Sequence, residues 1–422
     1  MSDDIEYAFL GGLFPKQLEY QIKAKSKGPL QYAANTLQWN FVSGIESNIG
    51  YPVKLLNCMF IGSFPKRYRD AYVKTQKFSH SLGSDDINIG FLNITVLKQI
   101  LIPISIKKAL KKWILNNSNR QKVLFVYSSN YVESINYVKK INHNIHICLI
   151  LPDLPMYMNL AKHNMPLYKL INCKNQRMLE KTLQNIDSFV FLTEQMSKYL
   201  KIDSKPYIVI EGVIGDCELL ELQRMQNDQT DCVKRIVYTG TLIKKYGIIE
   251  LLKAFREIED ENLQLIICGG GEAAEDIKKA SENDLRIIYK GVVSPQEARQ
   301  IQLNATVLVN PRQNIGEYTK YSFPSKIMEY MLSGVPVICY KLDGIPSEYN
   351  DYLLYVKPEA DKSHKNLKNK IMEICSLSTN ARRELGIKGR EFVLNNKNKL
   401  IQSKKVLEMI LRDINKNDKT YC

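Results

Sequence analysis

The chain has 422 residues, more than a single hydrophobic core usually organises, and two domains are therefore expected. Its 45% hydrophobic and 24% charged residues are typical of a globular protein and exclude a disordered or fibrous one. The formal net charge of +15 suits nucleic acid, an anionic membrane surface or phosphorylated small molecules, and equally a solvated lysine-rich surface.

The nine cysteines are scattered singly, with no Cys-x-x-Cys pair and no cluster with histidine. This spacing argues against a zinc site or a disulfide framework and favours a reducing, cytoplasmic location. The first residues, Met-Ser-Asp-Asp-Ile-Glu, lack the layout of a signal peptide. No apolar run reaches the roughly 18 residues of a membrane-spanning helix, so none is expected.

Short apolar runs alternate with helix-like segments in both halves of the chain. Such runs are typical of buried parallel strands with helices on both faces of the sheet. The strands are predicted at 7–14, 54–61, 122–127, 146–151, 187–192 and 207–211 in the first half, and at 235–240, 263–268, 286–290, 306–310, 336–340 and 353–356 in the second. We predict two doubly wound, Rossmann-like α/β domains that face each other across a cleft.

The polar stretch at 212–229 is the predicted link between the domains. We expect an N-terminal domain over 1–214 and a C-terminal domain over 215–390. Apolar residues at helical spacing predict a further helix over about 391–422, which packs back on the N-terminal domain.

Several residues of the second half follow the ends of predicted strands. Gly240 and Thr241 follow the first strand, Gly270 is the middle one of three glycines after the second, and Arg312 follows the fourth. Ligands of doubly wound sheets gather at this edge, which makes these residues candidates for binding, together with Lys245. A glycine there often only makes a tight turn, whereas three in succession suggest close approach of a ligand to the backbone.

The segment from Tyr321 to Tyr340 is the most informative one. Phe323 and Pro324 precede a short predicted helix that carries Lys326 and Glu329, three residues apart and therefore on one face. A cation near a helix N-terminus suits a diphosphate, and a carboxylate accepts hydrogen bonds from a ribose. The alternative role of Glu329 is an interaction with the helix dipole.

The sequence contains neither a Gly-x-x-x-x-Gly-Lys-Ser/Thr loop nor an Asp-x-Asp pair that would hold a metal–diphosphate. The charge of a leaving diphosphate would then be met by arginine, lysine and helix N-termini. We therefore expect neither a metal nor another cofactor.

Residues 233–356 resemble the donor-binding half of retaining family 4 glycosyltransferases, which have the GT-B fold, and in particular a branch from bacterial polysaccharide assembly. Phe323 and Glu329 match the second part of the family's Glu-x-Phe-Gly…Glu motif, and Tyr321 stands in place of its first Glu. The resemblance implies that Glu329 binds the nucleotide ribose and that Lys326 and Arg312 neutralise the diphosphate.

Thr241 and Tyr246 stand where the family has an arginine and a lysine, so two expected cations are missing. This departure keeps an alternative open, in which the chain is a non-catalytic GT-B subunit that binds and stabilises a partner glycosyltransferase.

In the first half, Gly11 and Gly12 resemble the loop beneath which a donor sugar sits in this fold. Asp153 follows the predicted strand at 146–151 and is expected to face the cleft, either at the acceptor or as a turn-forming residue between prolines. Asp153 and Lys326 are the candidate catalytic residues. No general base is assigned, because the resemblance implies that the leaving diphosphate itself assists the acceptor hydroxyl.

Residues 97–115 predict a helix with lysines on one face and Ile106, Leu110, Trp113 and Ile114 near the other. This pattern is typical of an element at a membrane surface, and equally of a core helix with a solvated basic face.

Together these features predict a cytoplasmic, hexosyltransferase-type glycosyltransferase, with attachment to the inner face of the cell membrane left open. Its expected donor is a nucleotide-diphosphate sugar, with UDP the commonest base in the family. The expected acceptor is a glycan or a lipid-linked glycan, and transfer is retaining and metal-independent. A nucleic-acid binder lacks support beyond the charge, and an epimerase would have only Asp153 and Glu348 as candidate acid and base.

Overall fold

The computed structural model describes residues 5–28, 30–116, 119–157, 166–202, 204–216, 233–357 and 363–420. The chain divides into two compact units. The first unit comprises Met1–Val213 and Lys399–Cys422, and the second unit comprises Ile214–Asn398. Most of the polar stretch at 212–229 lies outside the described residues.

The first unit contains one large sheet and one small one. Its strands are β1 (Ile5–Gly11), β2 (Lys54–Asn57), β3 (Tyr72–Val73), β4 (Gln76–Phe78), β5 (Asp86–Asn88), β6 (Phe91–Leu92), β7 (Gln121–Tyr127), β8 (His146–Leu151), β9 (Ser188–Phe191) and β10 (Tyr207–Val209). The large sheet has the order β10-β9-β8-β7-β1-β2-β5-β4, parallel except for the antiparallel β4–β5 pair. Strands β3 and β6 form a separate antiparallel pair.

The second unit contains a six-stranded sheet in which every pair is parallel. Its strands are β11 (Lys234–Thr239), β12 (Leu263–Cys268), β13 (Ile287–Gly291), β14 (Val307–Asn310), β15 (Val337–Tyr340) and β16 (Leu354–Val356), in the order β13-β12-β11-β14-β15-β16. The order reverses between β11 and β14, which is the kind of switch point where doubly wound sheets bind ligands.

The described helices alternate with these strands. They are α1 (Glu19–Lys25), α2 (Tyr32–Ile49), α3 (Thr95–Ile114), α4 (Val132–Ile141), α5 (Pro166–Thr182), α6 (Glu194–Leu200), α7 (Ile248–Arg256), α8 (Ala274–Asn283), α9 (Pro295–Leu303), α10 (Ser325–Leu332), α11 (Ser363–Ser376), α12 (Thr379–Asn396) and α13 (Lys399–Thr420).

All twelve predicted strands are present. Two of them have the predicted bounds, and the bounds of the others differ by a few residues. The edge strands β10, β13 and β16 keep mostly half-buried residues. The inner strands are largely buried, as in β8, because helices cover both faces of each sheet. The cysteines within them are free and buried, including Cys148, Cys268 and Cys339. Strands β3 to β6 were not predicted, since each has only two or three residues and no apolar run marks it.

The C-terminal helix α13 packs against α2 within the first unit. Val406, Leu407 and Ile410 belong to the same buried cluster as Phe41 and Ile45. Polar contacts add to this packing, since the Lys399 ammonium donates to the Ser43 hydroxyl at 2.8 Å.

The C-terminal half of helix α3 is a core helix. Ile106, Leu110, Trp113 and Ile114 are all buried, and the Trp113 indole donates to the Glu6 carboxylate at 2.5 Å. Of the two alternatives left open by the sequence, a membrane surface or the core, these four apolar side chains therefore take the second. Among the residues that the structure describes, no helix has the length and apolar content needed to cross a membrane.

Candidate functional site

The loops after β11 and β12 are joined by backbone hydrogen bonds at the carboxyl edge of the second sheet. The Gly240 amide donates to the Cys268 carbonyl at 2.9 Å, and the Leu242 amide donates to the Gly270 carbonyl at 3.0 Å. These bonds continue the parallel pairing of the two strands into the loops, which gives this edge a fixed shape.

Two glycines of these loops, Gly247 and Gly269, are required by neighbouring backbone. Gly269 has a φ of +141°, and a Cβ added to it would lie 1.8 Å from the Gly240 carbonyl oxygen. Gly247 has a φ of +80°, and its added Cβ would lie 2.0 Å from the Pro311 carbonyl oxygen. At these two positions the adjacent loops of the protein make the close approach, and the approach of a ligand to Gly270 remains a prediction.

Thr241 and Lys245 are exposed beside this edge. Lys244 pairs with Asp276 at 2.8 Å, which raises the pKa of the Lys244 ammonium. Lys245 takes part in no salt bridge among the described residues, and its carbonyl accepts a 3.5 Å hydrogen bond from Tyr318.

Arg312, directly after β14, is held between two aromatic rings. Its guanidinium carbon lies 5.2 Å from the centroid of the Tyr246 ring and 4.8 Å from that of Tyr318. Its Nη2 donates to the Ser322 hydroxyl at 2.7 Å. Although the residue is only 7% exposed, its Nε has no hydrogen-bond partner in the described part of the chain. Tyr246, where the resemblance led us to expect a lysine, thus stacks against the arginine instead.

Helix α10 begins after Pro324, which provides no side-chain cap for its first turn. Phe323 anchors this start, since its ring is buried 5.3 Å from the ring of Tyr349. The helix therefore starts at a defined place behind β14 and presents its first turn at the carboxyl edge of the sheet.

Lys326 and Glu329 pair with each other on this helix. The ammonium lies 2.8 Å from Glu329 Oε2 and 3.0 Å from Oε1. The same carboxylate accepts from the Gln302 amide at 2.7 Å, and that amide also donates to Thr239 Oγ1 at 2.7 Å. Both side chains of the ion pair keep about a third of their surface exposed. Each is thus satisfied in the protein and still accessible from solvent.

Tyr330 ties α10 to the end of β11. Its hydroxyl accepts from the Thr239 amide at 2.8 Å and donates to the Thr239 carbonyl at 2.9 Å. Complete burial of the ring raises the pKa of the hydroxyl well above its ordinary value. This anchor fixes the position of the neighbouring Glu329.

The thiol of Cys268, at the end of β12, has a raised pKa. Burial and the charge of Glu297 raise the pKa of the thiol to about 11, while Lys290 and Lys326 oppose the increase. Gln302 links Glu329, and with it Lys326, to Thr239 at the end of β11, and Arg312 follows the neighbouring strand β14. The second unit thus places Arg312, Lys326 and Glu329 at the same edge of the sheet, where Gly240 and Gly270 also lie.

Gly11, Gly12 and Asp153 belong to the first unit. The Gly12 amide donates to Oε1 of the buried Gln38 side chain at 2.8 Å, and a Cβ on Gly12 would lie 2.3 Å from the Phe60 ring. Asp153 is exposed after β8, and its charge adds to burial in raising the pKa of Tyr127. These residues lie at the carboxyl edge of the first sheet.

Sequence reasoning missed the residues that hold the candidate side chains in place. Gln302 and Tyr330 are ordinary helix residues in sequence, and no spacing relates them to Thr239. Tyr318 and Ser322 stand in a turn-rich segment without a recognisable pattern.

Glu348, which we considered as a candidate acid or base of an epimerase, instead forms a 2.6 Å ion pair with Lys397.

The described ranges contain no group of three or more histidine, cysteine, aspartate or glutamate side chains arranged to hold a metal ion. Metal independence remains a prediction.

Residues 221–392 match the protein family described as "Glycosyl transferases group 1". This part of the chain is therefore a glycosyltransferase group 1 domain. None of the curated proteins compared with the chain matches it.

Solved structures of sugar-transferring enzymes share the fold along nearly the whole chain. Sucrose-phosphate synthase from Thermosynechococcus elongatus aligns with a TM-score of 0.64 at 15% identity, covering 96% of this chain and 99% of that one. A UDP-forming trehalose-phosphate synthase from Burkholderia xenovorans aligns with a TM-score of 0.65 at 10% identity, covering 96% and 100%. A lipopolysaccharide outer core galactosyltransferase aligns with a TM-score of 0.61 at 13% identity, covering 96% and 99%. The predicted GT-B fold class is confirmed.

Proposed function

We propose that the chain is a retaining, metal-independent glycosyltransferase that moves a sugar from a nucleotide-diphosphate donor, a UDP-sugar in the first instance, to a glycan or lipid-linked acceptor in the cytoplasm. The observation that carries this proposal is the placement of Arg312, Lys326 and Glu329 at one edge of a sheet within the glycosyltransferase group 1 domain.

Arg312 is suited to a diphosphate. Two aromatic rings and the Ser322 hydroxyl hold its guanidinium in one orientation, so little side-chain entropy is lost on binding. A buried N–H without a partner is costly, and the unpaired Nε gains most from an anionic acceptor.

Lys326 and Glu329 are suited to the two halves of a nucleoside diphosphate. When the donor binds, a diphosphate oxygen replaces the Glu329 carboxylate at the Lys326 ammonium, and the ribose hydroxyls donate to the released carboxylate. Gln302 keeps the carboxylate in place during this exchange, because its hydrogen bond does not depend on Lys326.

The chemical step breaks the bond between the sugar and the diphosphate oxygen and forms one to the acceptor oxygen. The acceptor proton passes to the leaving diphosphate, whose growing charge is met by Arg312 and Lys326. Gly11, Gly12 and Asp153 of the first unit are assigned to the sugar and the acceptor, and Thr241, Lys245 and Phe323 to the surroundings of the donor.

The structural neighbours support the donor and the acceptor classes. One is described as UDP-forming, and another is a galactosyltransferase of the lipopolysaccharide outer core. Because these two neighbours are only 10% and 13% identical to this chain, they support the class of substrate and no particular sugar or acceptor.

A second candidate is a GT-B subunit that stabilises a partner glycosyltransferase. Two observations favour it. Lys326 is already neutralised by Glu329, and Tyr246 replaces a cation and contacts Arg312 instead of offering a charge to a phosphate.

The test is a thermal-shift and calorimetric screen with UDP-, GDP- and TDP-sugars, followed by a transfer assay. A ligand at 100 times its dissociation constant stabilises the folded chain by roughly 2.7 kcal/mol. We expect the nucleotide-sugars of one base to bind. Arg312→Ala and Lys326→Ala are each expected to abolish this binding. Lys278→Ala, an exposed lysine on α8, is the matched control. Failure of all the donors to bind the folded chain would favour the subunit, and unchanged activity in both site variants would remove the proposed mechanism.

A further inference from the structure

Helix α3 differs between its two halves. The C-terminal half is buried, whereas the N-terminal half exposes Leu97, Ile100 and Ile104, at 43%, 58% and 59% of their surface. Their spacing of three and four residues places them on one line along the helix. Large aliphatic side chains that share one exposed face are unlike the scattered apolar residues of an ordinary surface.

Two further exposed apolar side chains belong to the segments next to the start of the helix. Ile94, the residue before α3, is 38% exposed. Tyr72 of β3 is 56% exposed and pairs with Leu92 of β6, two residues before Ile94. These five residues, Tyr72, Ile94, Leu97, Ile100 and Ile104, are named the apolar α3 face.

All the charged side chains of helix α3 are basic. Residues 95–114 contain five lysines and neither aspartate nor glutamate. Lys98 turns inward and donates to the Ile61 carbonyl at 2.7 Å, and Lys107 pairs with Glu133 at 2.7 Å. Lys108 and Lys111 are exposed, pair with no acid among the described residues, and follow Ile104 at helical spacing. The apolar α3 face thus continues directly into two free cations.

We propose that the apolar α3 face lies on an anionic lipid surface, with its aliphatic side chains in the interface and Lys108 and Lys111 at the phosphate headgroups. Apolar insertion and electrostatic attraction act together in such elements. A second copy of the chain fits less well, because a symmetric contact would bring two acid-free helices with lysines together and supply no counter-charge. This inference goes beyond the proposed function and does not depend on it.

The experiment uses the full chain and sedimentation with vesicles. One set contains phosphatidylglycerol and phosphatidylcholine, and the other contains phosphatidylcholine alone. We expect binding to the anionic set that weakens with salt. Ile100→Ser with Ile104→Ser, and separately Lys108→Glu with Lys111→Glu, are each expected to lower the partition coefficient about tenfold or more.

The controls match each change elsewhere on the surface. Leu82→Ser removes a fully exposed leucine of the first unit, and Lys278→Glu with Lys279→Glu changes the charge equally on α8. Both are expected to leave the partition unchanged, and melting temperatures check that every variant is folded.

Four results would each overturn the proposal. The first two are equal binding to neutral vesicles and no binding to anionic ones. The others are undiminished binding by both α3 variants, and a dimer in sedimentation velocity that the isoleucine variant dissociates. Nucleotide-sugar titration of the same variants separates this outcome from that of the proposed function, since the substituted residues belong to the first unit and Arg312, Lys326 and Glu329 belong to the second.

Discussion

The Lys326 ammonium lies 2.8 Å from the Glu329 carboxylate on the next turn of the same helix. A partly exposed ion pair at this spacing adds only about 0.3–0.5 kcal/mol to stability. Under the proposed function, the pair therefore matters less for the stability of α10 than for keeping a cation and a hydrogen-bond acceptor side by side at the edge of the sheet. Substitutions of Lys326 or Glu329 are therefore expected to change ligand binding more than the free energy of unfolding.

Glu329→Gln is expected to lower the affinity for a nucleotide-sugar about tenfold or more, because a hydrogen bond to a charged acceptor is worth about 1.5–3 kcal/mol. Calorimetry with the ordinary donor and with a donor whose ribose lacks both hydroxyls measures the effect. The loss should vanish with the second donor. An equal loss with both donors would show that the carboxylate does not bind the ribose.

Tyr246→Ala is expected to weaken donor binding about fivefold, because Arg312 loses one of its two aromatic walls and a cation–π contact is worth about 1 kcal/mol. Tyr246→Phe keeps the ring and should bind as the unchanged protein does. Calorimetry compares the two variants. If the phenylalanine variant is as weak as the alanine variant, the hydroxyl of Tyr246 matters and its ring does not.

Tyr330→Phe is expected to lower the free energy of unfolding by about 1–3 kcal/mol, because it leaves the buried Thr239 amide and carbonyl without their tyrosine partner. Urea denaturation measures the change. Tyr20→Phe, at a highly exposed tyrosine, is the control and should have no effect. A Tyr330→Phe variant as stable as the control would mean that the hydroxyl does not anchor α10.

His80 predicts a pH dependence of stability in the first unit. Its ring lies 2.6 Å from Asp86 Oδ2 and 2.7 Å from Glu46 Oε1. Burial by itself lowers the pKa of the ring, but hydrogen bonds to these carboxylates and their charges outweigh burial and raise the pKa from 6.5 to about 9.

Since the pKa is raised in the folded state, the stabilisation is complete below pH 6.5 and is lost as the pH rises through about 9. His80→Gln should cost about 3 kcal/mol or more at neutral pH and show a smaller decline in alkali. Urea midpoints on both sides of this range measure the difference. Parallel curves for the variant and the unchanged protein would contradict the prediction.

The strands were predictable because burial on both faces leaves a continuous apolar run in the sequence. His146–Leu151 and Leu263–Cys268 have the same bounds in the prediction and in the structure. The strands between Tyr72 and Leu92 were not, because they are short and partly exposed, and their pairing depends on distant segments.

The pairing of Lys326 with Glu329 is local, and the spacing of three residues was enough to place both on one face. By contrast, one of the two aromatic contacts of Arg312 is made by a residue far from it in the chain. Its guanidinium meets Tyr246, 66 positions earlier in the chain, only because the parallel order of the strands brings the loops after β11 and β14 together.

The amino-acid sequence alone determined the two α/β halves and the polar residues at the strand ends, because apolar periodicity and strand polarity are properties of short segments. Only the tertiary structure decided which groups neutralise one another, which glycines are needed by neighbouring loops, and which apolar side chains of α3 face solvent. The physical reason is that hydrogen bonds, ion pairs and burial depend on distances between segments far apart in the chain, and the sheet order sets those distances.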